Sequence, residues 1–73
     1  MAHIEIKFKN SAERFVFDEE ALLDKGDSEA TVHGHFCSIK GYLEKGIGDH
    51  TVYYVAHNAL INLKDIDFIA YKE

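Results

Sequence analysis

Ala30-Thr31-Val32-His33-Gly34-His35-Phe36-Cys37-Ser38-Ile39-Lys40-Gly41-Tyr42-Leu43 is the stretch whose reading decides the fold. No acidic residue interrupts it, and β-branched and aromatic side chains run through it together with two glycines, Gly34 and Gly41. Strand interiors normally avoid glycine, so a strand carrying two of them must bulge or bend sharply. The expectation is one long, bent central strand. Strand alternation then projects His33, His35 and Cys37 from a single face.

Outward from that stretch, His3 to Lys9 alternates strictly, with Ile4, Ile6 and Phe8 on one side and Glu5, Lys7 and Lys9 on the other. A period of two marks a half-buried strand. Asn10, Ser11 and Ala12 interrupt the pattern, and Phe15 and Phe17 resume it around Val16, which predicts an N-terminal hairpin. A helix starting at Ser11 is the competing reading, because Ala12, Phe15, Val16, Glu19 and Leu22 also fit helical spacing. Asp18 can cap a short helix near 18–25 through Leu22 and Leu23, with Lys25 near its end and Gly26 as the stop. From Asp18 to Glu29 six acids face the single base Lys25, a concentration of charge that suits a solvated connection.

Beyond the central stretch, Glu44 to Asp49 has the glycines and charges of a hairpin loop. Thr51 to His57 reads as a strand with apolar residues on both parities, and Asn58 as a left-handed turn residue. Extended through Leu63, Val52, Tyr54, Ala56 and Leu60 fall on one parity, and Tyr53, Val55, Ala59, Ile61 and Leu63 on the other. The remainder predicts two short strands joined near Lys64 and Asp65, against a helical alternative through Val55, Ala59, Leu60 and Leu63.

These pieces make a mostly β fold, with α+β as the open alternative, in one small domain over residues 1–73. The expected architecture is a small antiparallel sheet of five or six strands curling toward a barrel, SH3-like or Sm-like, with at most one short helix near 18–25. A chain of 73 residues has a modest core. Its single cysteine excludes an intramolecular disulfide and argues against a disulfide-stapled secreted class. The first residues lack the apolar run of a signal peptide, and no apolar run approaches the roughly 20 residues that span a bilayer. The expected compartment is the cytoplasm, with no membrane partner. A net charge of −5 opposes binding to a phosphate backbone, so no nucleic-acid partner is expected either.

Imidazole and thiolate are ligands that zinc favours, which makes His33, His35 and Cys37, with His50 or His57 from a neighbouring strand, the metal candidates. Alternate residues on a strand stand about 6.6–7 Å apart, however, so His33 and Cys37 do not share one ion in that reading. No metal and no cofactor is therefore expected. Cys37 as a nucleophile with His35 or His57 as base lacks the positive surroundings that lower a thiol pKa. Asp49 and His50, as strand neighbours, point to opposite faces. No Walker loop, Gly-x-Ser-x-Gly or His-Glu-x-x-His stands in the chain, and no enzyme is expected.

A strand apolar on both faces points instead to a non-enzymatic interaction or regulatory module working by protein contact, with a homodimer as the expected assembly. Tyr53, Tyr54 and Val55 are its candidate contact residues, with one tyrosine facing the contact and its neighbour facing the core. The alternatives are a metal- or ligand-binding barrel using the His33, His35 and Cys37 face, and an acidic protein occupying a nucleic-acid-binding surface of another protein.

Overall fold

Ile4 and Ile6 alternate with Glu5 and Lys7, and that alternation builds the first strand. In the computed structural model, which describes residues 2–24, 31–46 and 53–73, β1 spans His3–Phe8 and buries both isoleucines completely. β2, Arg14–Asp18, folds back on it antiparallel, pairing Ile6 with Phe15 and Ile4 with Phe17, so the predicted N-terminal hairpin is present. The C-terminal strand, which becomes β5 below, flanks the other side of β1. It spans Ile66–Lys72 and pairs Ile6 with Ile69 and Ile4 with Tyr71, with a register shift at Lys7 and Phe8. The resulting sheet has the order β2-β1-β5.

Asp18 then caps helix α1, Glu19–Leu22, by accepting a hydrogen bond from the Ala21 amide at 3.1 Å. The short helix near 18–25 is thus found, ending at Leu22, while Lys25 and Gly26, the expected last-turn base and stop, lie outside the described residues. Its orphan carbonyls are taken by the chain around Asn58. The Asn58 amide donates to the Ala21 carbonyl at 2.8 Å, and its side-chain amide to the Glu20 carbonyl at 3.1 Å. Asn58 is not the left-handed residue expected; among the described residues no non-glycine has a positive φ. Polar side chains that satisfy helix ends in this way replace water as the partner.

The central stretch overturns its reading as a strand. Val32–Lys45 is a 14-residue helix, α2. The physical reason lies in Val32, Phe36, Ile39 and Leu43, spaced four, three and four apart. Strand alternation divides these residues two and two between opposite faces, whereas a helix gathers all four into one stripe. Val32 and Ile39 are buried, and Phe36 and Leu43 pack against the core. Each fully buried aliphatic side chain contributes roughly 1.5–3 kcal/mol, and the stripe outweighs the roughly 1 kcal/mol that each interior glycine costs a helix. Thr31 caps the start, its Oγ1 accepting from the Gly34 amide at 2.9 Å. Gly46, at φ 86°, closes the end, so Glu44 and Lys45 belong to a helix and not to a hairpin loop, while Ile47 to Asp49 lie outside the described residues.

After residues outside the description, β3 (Tyr53–Val55) and β4 (Leu60–Asn62) form a second, two-stranded sheet. A 3-10 turn, Leu63–Asp65, leads into β5, as expected of the chain near Lys64 and Asp65. Ile61 and Leu63 join Ile4, Ile6, Leu22, Val32, Ile39 and Ile66 in the buried core between the sheets and α2. The fold is α+β, with five strands in two antiparallel sheets and one long helix among the described residues. Among the described residues there is no closed barrel, so the SH3-like or Sm-like expectation fails together with the limit of one short helix. No helix of the described residues is long and apolar enough to cross a membrane.

Candidate functional site

Because residues 33, 35 and 37 lie on a helix, they do not share a face. His35 turns toward the second sheet, where its Nδ1 stands 2.7 Å from the Tyr54 hydroxyl and the two rings meet edge to face at 5.8 Å. Tyr42, two turns further along α2, approaches the Tyr54 ring at 6.3 Å. Partial burial raises the Tyr54 hydroxyl above the usual tyrosine value, Ser38 acts in the opposite direction, and the neighbouring Tyr42 raises it further. His35 and Tyr54 together fasten hairpin β3–β4 to α2.

His33 and Cys37 occupy another side of α2, exposed and one turn apart. The Cys37 Sγ lies 3.7 Å from His33 Nδ1 and 3.8 Å from Nε2. The His33 ring stands edge-on to Tyr71 at 5.0 Å and lies 6.4 Å from Phe36. The strand-based argument that His33 and Cys37 are too far apart is therefore corrected. Residues i and i+4 are neighbours on a helix surface, where alternate residues of a strand are not. Cys37 with His35 or His57 as base, already disfavoured by the sequence, is not the arrangement found: the imidazole beside Cys37 is that of His33. His57 is exposed in the turn between β3 and β4. Asp49 and His50 lie outside the described residues. No group of three or more histidine, cysteine or acidic side chains among the described residues is arranged to hold a metal ion.

The hairpin carries the clearest surface feature. Tyr54 pairs with Ile61, and both point inward, Ile61 being fully buried. Val55 pairs with Leu60 on the opposite face, where Val55 is 73%, Leu60 66% and Tyr53 53% exposed. The two adjacent tyrosines thus divide as expected, one toward the core and one toward solvent. Parity places Leu60 with Tyr54 and Ile61 with Tyr53 and Val55; the structure puts each on the other face, Leu60 outward beside Val55 and Ile61 inward beside Tyr54. A two-residue turn at His57 and Asn58 makes opposite residues sum to a constant, so an odd position on β3 meets an even one on β4. That turn was the signal from which Leu60 could have been placed.

The uncovered face of the first sheet is of a different kind. Glu5 lies 3.4 Å from His3 and 3.8 Å from Arg14, Lys7 pairs with Asp67 at 2.8 Å, and the Arg14 guanidinium sits 4.9 Å above the Phe68 ring. Lys7, by hydrogen bond and charge, holds the Asp67 carboxyl below the usual carboxylate range. Opposite charges answer one another across these strands, as on an ordinary solvated sheet surface. No family model matches the chain, and no curated protein or solved structure is similar to it.

Proposed function

We propose that this chain is a small, cytoplasmic, non-enzymatic contact module that pairs with a second copy of itself through the outward face of hairpin β3–β4. The observation that carries the reading is the side-by-side exposure of Tyr53, Val55 and Leu60 on a ribbon whose other face is already used by the core. An isolated two-stranded sheet is marginal in water, and covering its second face removes that weakness. A second copy suits the face because the paired residues of β3 and β4 carry no charge: Asn62, opposite Tyr53, is the polar member, and its side-chain amide donates to the Asp65 carboxylate at 3.1 Å. A twofold contact sets each residue against its own neighbourhood, and the strands β3 and β4 themselves bring no like charges together, in spite of the net charge of −5.

The expected contact is weak. A standard stable interface uses about 800 Å² per partner, more than three side chains supply, so the hairpin rim must contribute and a micromolar dissociation constant is expected. Sedimentation equilibrium near 100 μM, about 100 times a micromolar dissociation constant, should give the dimer mass. Val55→Asp and Leu60→Asp should each give a folded monomer with unchanged circular dichroism, and Tyr54→Asp an unfolded chain. A monomeric wild type at that concentration overturns the reading.

A further inference from the structure

We propose that His33 and Cys37 form an exchangeable two-ligand site for a borderline or soft divalent ion of the zinc type. Zinc binds imidazole nitrogen at about 2.0–2.1 Å and thiolate sulfur at about 2.3 Å, which at a tetrahedral angle sets nitrogen and sulfur about 3.6 Å apart. The observed separations are 3.7 and 3.8 Å. The helix therefore holds both donors at the spacing of a shared ion with no change of backbone. The two ring nitrogens are nearly equidistant from the sulfur, so a rotation about the broad imidazole χ2 torsion is needed to aim one lone pair at a shared ion. Tyr71 and Phe36 flank the ring, with centroids 5.0 and 6.4 Å away.

The donor pair also selects the ion. Sulfur with imidazole favours zinc, cobalt and cadmium over magnesium and calcium, whose preferred ligands are oxygens. Both donors are open to solvent, and the two remaining coordination positions fall to water, which makes the ion exchangeable and leaves the fold independent of it. On binding, the Cys37 thiol yields its proton to solvent and His33 coordinates as the neutral ring; no electron is transferred. This side of α2 is separate from the Tyr53, Val55 and Leu60 face, so the two proposals stand or fall independently.

Cobalt(II) is the probe, because a cobalt–thiolate bond gives a near-ultraviolet charge-transfer band. Titration of the full chain, kept reduced with a phosphine, should show this band saturating at one ion per chain and disappearing on addition of zinc. Cys37→Ser should abolish the band, His33→Ala should weaken apparent affinity by about tenfold or more, and His35→Ala should leave it unchanged. Circular dichroism of each variant separates loss of ligand from loss of fold. Absence of the band at about 1 mM cobalt, far above the concentrations that occupy a micromolar site, overturns the proposal. Equal losses in His35→Ala and His33→Ala also overturn it.

Discussion

At the scale of single residues, Tyr54 is where chemistry and packing meet. Its hydroxyl hydrogen-bonds His35 in a half-buried setting, an interaction whose net contribution is about 1 kcal/mol. Tyr54→Phe should therefore lower the stability measured by urea unfolding by about that amount while leaving the ring packing in place. The same hydroxyl gives a pH signature. Its folded pKa is raised above the reference of 10.0, first by burial, so the folded state keeps a proton that the unfolded chain loses. The associated stability is fully present below pH 10 and falls as pH rises through the folded value. Unfolding midpoints followed from pH 9 upward should decline, and less steeply in Tyr54→Phe than in the wild type; equal slopes would remove Tyr54 from the account. His33, His35 and Cys37 teach a related point. Their residue types announced chemistry, but whether any two could meet depended on the backbone period, 6.6–7 Å between alternate strand positions against one helical turn.

At the scale of elements, α2 explains both what the chain discloses and what it conceals. Its two glycines should respond oppositely to alanine. A Cβ on Gly41 meets nothing within 4 Å, so Gly41→Ala should stabilise the protein by about 0.5–1 kcal/mol through helix propensity alone. On Gly34 the same atom comes within 3.1 Å of Thr31 Oγ1, the group that caps the helix, so Gly34→Ala should gain less or lose stability. Thermal unfolding of the two variants and of Thr31→Ala, expected to lose about 1 kcal/mol, would check the cap and the helix together. β1, the β1–β2 hairpin and the Asp18 cap were legible because alternation and capping are local patterns with one solution. The central stretch was not, because β-branched residues and glycines vote for a bent strand locally, whereas the deciding fact is where Val32, Phe36, Ile39 and Leu43 end up when the chain is wound. Tertiary burial of that stripe wins over residue preference. The outward position of Leu60 was hidden for a related reason: the parity of one strand passes to the next only through the length of the turn between them.

At the scale of the whole molecule, the question is what a core this small leaves for the surface to do. Among the described residues eight form the buried set, drawn from α1, α2, the 3-10 turn and three of the five strands, while Tyr53, Val55 and Leu60 remain outside it. A small domain buries a low fraction of its surface, so an additional covered face is a material part of its stability. If a second copy supplies that cover, the melting temperature must depend on protein concentration, since association is then linked to folding. Each tenfold increase adds about 1.4 kcal/mol per dimer. An unfolding entropy of about 2.1 cal/mol/K per residue comes to about 0.3 kcal/mol/K for two chains, so the midpoint should rise by about 4–5 °C per decade. Val55→Asp removes the association without touching the core, and its midpoint should be independent of concentration and equal to that of the wild type at high dilution. Calorimetry across two decades of concentration measures both. A flat wild-type midpoint would show that the hairpin face is left to water and that Ile4, Ile6, Ile39 and their neighbours hold the fold without a partner.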